Sequence, residues 1–363
     1  MYIYIVVFFI VMLLGVLLLG LSPEDANNKK KIVYLFLITI ILGLLGGYRS
    51  SLVGCDTANY YDSFLRTSDN IEGIFDNNQH IETGFAALCT LVKICGGNFT
   101  HFLLVCSFFI VGSFSVFVFR HSNNVLLSIF ILLCFPYYYS SFDIIRHFFA
   151  TSFLLLGFKY ILKGNFLKYA IFILMGSVFH NSALVYLLLY PLLRLGWSRR
   201  LFLFITAATL FLMISANNFA NFLVAETGRF EVVAEEWVGE YSGGVLTCIM
   251  YLLVFLLAYY ARKNKTSISI EYDVSIICIY MLLMSALLFI NVRIALRYIM
   301  TFSGLLAFAM PSLLGTVDVQ KRNINRVLLI IFISIGVFYH LFMLEINWQN
   351  VVPYVPSFVY PYI

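Results

Sequence analysis

The chain has 363 residues, of which 62% are hydrophobic and only 11% charged, against roughly 25% charged in an ordinary soluble domain. That balance excludes a soluble globular protein. The net charge of +5 does not point to nucleic acid, because no basic block exceeds the three residues at Lys29 to Lys31.

Apolar runs near 20 residues recur from end to end, and such a run matches a hydrocarbon core of ~30 Å at 1.5 Å rise per residue. The fold class is therefore all-α, a polytopic transmembrane helical bundle, with 1–363 forming one integral membrane domain. In chain order the expected spans are 2–21, 32–47, 99–119, 124–141, 144–162, 166–179, 182–195, 201–217, 244–261, 273–290, 297–315 and 327–344, about twelve crossings, two of them short. The run at 2–21 is too long for the apolar core of a secretory signal and lacks the basic flank, so it reads as a retained first span. The stretch 82–95 is short for a span and reads as a re-entrant or interfacial helix.

Basic residues near span ends stay on the cytoplasmic side, and this rule orients the chain. With 82–95 not crossing, sixteen of the 23 Lys and Arg fall inside and seven (Arg49, Arg66, Lys93, Arg146, Arg229, Arg293, Arg297) fall outside. Both termini are then extracytoplasmic, as are the two longer loops, 48–81 and 218–243. The second loop holds Glu226, Glu231, Glu235, Glu236 and Glu240 on an expected amphipathic helix. The cytoplasmic connections are short and basic, without a P-loop or GxGxxG unit, so no nucleotide-driven chemistry and no cofactor is expected. The histidines show no zinc spacing and there is no GxSxG, so neither a metal nor a serine nucleophile is expected.

Isolated polar residues in apolar context crowd the outer ends of spans, where their insertion cost marks a cavity or a partner. The run Asp143-Ile-Ile-Arg146-His147 opens a span, and its spacing allows a local Asp143–Arg146 ion pair or an anion-binding Arg146. His180 lies in the middle of an apolar run from Tyr169 to Leu193, where it either satisfies turn carbonyls or lines a site. Arg293 and Arg297 are one helical turn apart, and two planar guanidiniums on one face suit pyrophosphate or, alternatively, lipid phosphate. Tyr48-Arg49 precedes Gly54-Cys55-Asp56-Thr57-Ala58-Asn59-Tyr60, a cluster that fits a structural turn as well as a site.

Several short pieces, in this order, resemble the EpsG-like branch of the Wzy-type O-antigen and exopolysaccharide polymerases. They are Tyr48-Arg49 with Gly54-Cys-Asp56-Thr57-Ala-Asn-Tyr60, Glu82-Thr-Gly84-Phe85, Ile145-Arg146-His147, Phe179-His180-Asn181-Ser182-Ala183-Leu184, Arg297-Tyr298 and Pro353-Tyr354. The resemblance implies a multi-pass glycosyltransferase of the bacterial inner membrane. Such an enzyme moves a growing glycan from undecaprenyl pyrophosphate onto an incoming lipid-linked repeat unit at the extracytoplasmic face. Its partners would be the undecaprenyl-pyrophosphate-linked oligosaccharide, membrane lipid and a polysaccharide chain-length regulator, with no nucleic acid. Arg146, Arg293, Arg297 and Arg49 would bind pyrophosphate, while His180, Asp56 or Glu82 would serve as base or sugar ligand. A lipid-linked oligosaccharide flippase and an O-antigen ligase are the rival readings. The sugars, the linkage and the oligomeric state are not legible in the chain.

Overall fold

The computed structural model describes residues 1–20, 23–74, 81–227, 244–265, 269–315 and 322–359. These form α-helices joined by short 3-10 segments, with no named strand among the described residues. The contacts group into two compact units, 1–190 with 337–363, and 191–336.

The first unit opens with α1 (Tyr2–Leu19) and α2 (Asn28–Gly47), then two short helices, α3 (Thr57–Arg66) and α4 (Thr83–Ile94). Next come α5 (Phe99–His121), α6 (Val125–Cys134), α7 (Ile145–Leu162) and α8 (Phe166–Ser177), a 3-10 run at Asn181–Leu188, and α9 (Leu189–Arg194), within which the first unit ends at Tyr190. The second unit holds α10 (Arg199–Thr227), α11 (Gly244–Lys263), α12 (Ile270–Phe289) and α13 (Ala295–Leu314). The closing helix, α14 (Arg322–Glu345), ends in the first unit. Asn27, Asn98, Asn124 and Asn165 begin their helices with side-chain oxygens accepting a backbone N–H of the first turn, which satisfies a donor the helix itself leaves open.

Eight described helices are long and apolar enough to cross a membrane: α1, α2, α5, α7, α11, α12, α13 and α14. The expected count of about twelve is not reached by full-length helices. At 124–141, α6 stops after 10 residues and the chain continues through a compact aromatic segment. The expected pair 166–179 and 182–195 is a hairpin of half-length arms, the 12-residue α8 and a 3-10 run followed by α9. At 1.5 Å per residue α8 rises about 18 Å, well short of a ~30 Å core. Hydropathy could not separate these arms from spans because their composition is equally apolar. The stretch 82–95 is likewise a 12-residue helix, α4. Residues 228–243, with Glu231, Glu235, Glu236 and Glu240, lie outside the described residues.

Both termini and the loop after α2 meet at one end of the first unit. The Tyr4 hydroxyl donates to the Val351 carbonyl at 2.6 Å, and Tyr354 donates to Leu45 O at 2.9 Å. Backbone bonds from Ser50 to Val355, from Ser357 to Tyr48 and from Gly54 to Asn350 fasten the C-terminal tail over the first loop. At the same end α4 buries Phe85, Ala86, Cys89 and Val92 in an aromatic cluster with Tyr60, Phe64, Phe99, Phe102, Phe149 and Phe153.

The hairpin packs closely on α7: a Cβ at Gly176 would stand 2.9 Å from the Ala150 carbonyl oxygen. Backbone cannot yield as a side chain does, so Gly176→Val should lower stability by about 1–3 kcal/mol. Gly112→Ala, whose added carbon meets only a methyl at 3.9 Å, should be neutral or slightly stabilising because Ala favours helix. Thermal unfolding of both purified variants checks the contrast.

Candidate functional site

Three segments distant in sequence meet at the end that carries the termini. Glu82 immediately precedes α4, Arg146 sits in the first turn of α7, and His180 is at the tip of the hairpin. One carboxylate joins them. Glu82 Oε2 accepts from Arg146 Nη1 at 2.6 Å, and Oε1 accepts from His180 Nδ1 at 2.8 Å. In the neutral imidazole the second bond places the proton on Nδ1 and the lone pair on Nε2. Among the described residues, neither His180 Nε2 nor Arg146 Nε, both buried, has a hydrogen-bond partner.

Backbone and aromatic contacts hold the three in place. The Gly84 N–H donates to Val178 O at 3.0 Å, and a Cβ at Gly84 would stand 2.8 Å from that oxygen, so α4 rests directly on the hairpin tip. Phe179 anchors the tip from the other side, its ring 4.5 Å from that of Phe149 and 5.7 Å from that of Phe153. The Arg146 guanidinium lies over Tyr60 and Phe85, 5.7 Å from each ring centre, a distance at which ring quadrupoles attract a cation. Glu82 and His180 side chains are 12% and 13% exposed, while Arg146 is 32% exposed. Arg146 is thus the charge of this cluster that solvent reaches most readily.

Burial alone would raise the Glu82 pKa. The hydrogen bond from His180 and the Arg146 charge outweigh it, and the carboxyl is pushed down to about 2. His147 is buried beside the cluster, its ring 5.9 Å from that of His180 and nearly perpendicular.

The remaining sequence candidates occupy other positions. Arg49 is 2% exposed; its guanidinium donates to the Gly46 carbonyl and, at 2.9 Å, to the Phe142 carbonyl, and lies 5.0 Å above the Phe142 ring. Asp56 precedes α3, and its backbone N–H donates to Asp143 Oδ1 at 2.6 Å. The ion-pair partner of Arg146 is Glu82, 64 positions away, where the local spacing pointed to Asp143. Arg293 is exposed in the turn before α13, and Arg297 is half-buried in the first turn of α13. Both belong to the second unit. The sequence reading did not single out the ring platform of Tyr60 and Phe85. Its only sequence signal is the presence of both residues inside the short motifs that also carry Asp56 and Glu82.

Fold and site together define a polytopic helical membrane protein with a partly buried carboxylate–imidazole–guanidinium cluster at one end of its bundle. The EpsG family model matches residues 31–355, nearly the whole chain, and the chain belongs to that family, one of Wzy-like polymerases. No curated protein and no solved structure matches it.

A depressed carboxylate stabilises the fold only while it is ionised. The contribution of Glu82 is fully present above its ordinary value of 4.5 and fades as pH falls toward about 2. Discounted for partial solvent screening, it is on the order of 2 kcal/mol. Glu82→Gln should therefore lower the unfolding midpoint at pH 7 and flatten its dependence between pH 5 and about 2, as thermal unfolding across a pH series would read.

Proposed function

We propose that the chain polymerises lipid-linked repeat units at the extracytoplasmic face of the bacterial inner membrane. It would transfer a growing O-antigen or exopolysaccharide chain from undecaprenyl pyrophosphate onto an incoming unit. Membership of the EpsG family supports a polymerase of surface polysaccharide, and the observation that carries the site assignment is the Arg146–Glu82–His180 cluster. It lies at the end of the first unit opposite Lys159 and Lys163, which matches an outer active face under the positive-inside rule.

In this reading the acceptor hydroxyl attacks the anomeric carbon of the donor glycan. The bond from that carbon to the phosphate oxygen breaks, and the pyrophosphate leaves with the electron pair. Arg146, held by Glu82 and backed by two rings, presents its remaining donors to the leaving phosphate oxygens. His180, with Nδ1 committed to Glu82, takes the hydroxyl proton on Nε2. Nε2 is covered in the observed geometry, so the acceptor reaches it only when the hairpin tip yields. Glu82 positions both groups and is too weak a base, at about 2, to accept the proton efficiently at neutral pH. Arg293 and Arg297, which belong to the second unit, would bind phosphate oxygens there. Arg49 and Asp56 would act through the scaffold of the outer loop. The donor arrives activated, which agrees with a sequence lacking a nucleotide-binding motif.

Deleting the gene should collapse the glycan ladder to a single repeat unit, because flipping and ligation continue without polymerisation. Loss of all surface repeat units, with lipid-linked units accumulating inside, would instead identify a flippase. A ladder that persists unattached to its final acceptor would identify a ligase. In the complemented strain His180→Ala should reduce polymer to background, and Arg146→Lys should shorten it sharply by keeping the charge but losing the fork. Protein levels measured alongside separate chemistry from degradation. Full-length ladders from both variants would remove the cluster from the mechanism.

A further inference from the structure

The opposite end of the first unit carries a group of cations that form no ion pair among the described residues. Lys159 Nζ stands 4.7 Å from the centre of the Tyr160 ring, and Lys168 Nζ stands 5.9 Å from the same ring. Lys163 is exposed in the turn between them, and Arg120 is exposed at the end of α5, which packs on α7. None of these four has a carboxylate partner among the described residues. Between Arg120 and Arg200 the sequence holds one carboxylate, Asp143, and it lies at the other end of α7. Like charges gathered around one ring repel unless an anion is supplied from outside.

The neighbouring surface states what kind of anion. Phe166 and Leu167 lie between Lys163 and Lys168 in sequence and are 48% and 72% exposed. An inorganic ion would leave such apolar side chains in water, whereas an amphiphile would cover them. Tyr160 adds a ring of the type that settles at the headgroup level of a membrane.

We propose that Lys159, Lys163 and Lys168, with Tyr160 and the exposed pair Phe166 and Leu167, form a binding site for an anionic phospholipid. The headgroup phosphate lies among the lysines, and an acyl chain lies against Phe166 and Leu167. Arg120 adds long-range attraction. The site would fasten the turn between α7 and α8 to the membrane surface, and it stands independently of the polymerase reading.

The test uses the full-length protein in neutral detergent, titrated with phosphatidylglycerol, with phosphatidylcholine of the same acyl chains, and with inorganic phosphate. Lipid retention is read by native mass spectrometry, and stability by the unfolding midpoint. Phosphatidylglycerol should be retained and raise the midpoint, while the other two should do neither at equal concentration. Lys163→Gln with Lys168→Gln, both exposed and therefore tolerated by the fold, should weaken retention roughly thirtyfold. Equal retention of phosphatidylcholine would reduce the site to apolar contact. An equal midpoint shift from inorganic phosphate would make it a free-anion site. Unchanged phosphatidylglycerol retention by the double variant would place the lipid elsewhere. Any of these three results overturns the proposal.

Discussion

The site is organised around one carboxylate. Removing Glu82 from water costs several kcal/mol, which only a well-aligned pair of partners offsets, and Arg146 and His180 take one oxygen each. Because the three residues come from α4, α7 and the hairpin tip, the same contacts that stabilise the charge fix where those elements sit. Loss of Glu82 would remove the common point of three elements, and loss of Arg146 would leave its carboxylate without the guanidinium charge that offsets burial.

Packing around this point is chosen to make the ionic contacts possible rather than to replace them. Gly84 and Gly176 let backbone approach backbone on either side of the tip, and Phe179 fills the space against Phe149 and Phe153. On the loop side, Arg49 gathers the carbonyls of Gly46 and Phe142, and Asp143 accepts from the backbone of Asp56. These bonds hold α3 so that Tyr60 faces the Arg146 guanidinium. The density of aromatic residues, 37 Phe and 24 Tyr, therefore serves the outer layer of the bundle as well as lipid contact.

How much of this was legible in the sequence depended on whether the determining contact was local. Full-length apolar runs such as Phe99–His121 identify their own helices, because 1.5 Å per residue against a fixed thickness leaves no alternative. The arms at 166–194 are short in the sequence, but their apolar composition does not separate a half-length hairpin from two crossings, because they differ from spans only in length and coiling. Glu82, Arg146 and His180 were each visible as polar residues in costly surroundings. Their union was not, because Glu82 is 64 positions from Arg146 and 98 from His180, and helical spacing instead offered Asp143. Arg49 looked like a ligand for the same reason, a charge in apolar context, and only its carbonyl partners show where that charge is used.

A double-mutant cycle on the initial rate of polymerisation tests most directly whether Glu82 and His180 form one functional unit. With purified protein and lipid-linked repeat units, Glu82→Gln and His180→Gln would be measured singly and together. The double variant should be no slower than the slower single variant, because the second change removes a partner already disabled. Losses that multiply would show that the two side chains act independently, and the unit described here would not exist.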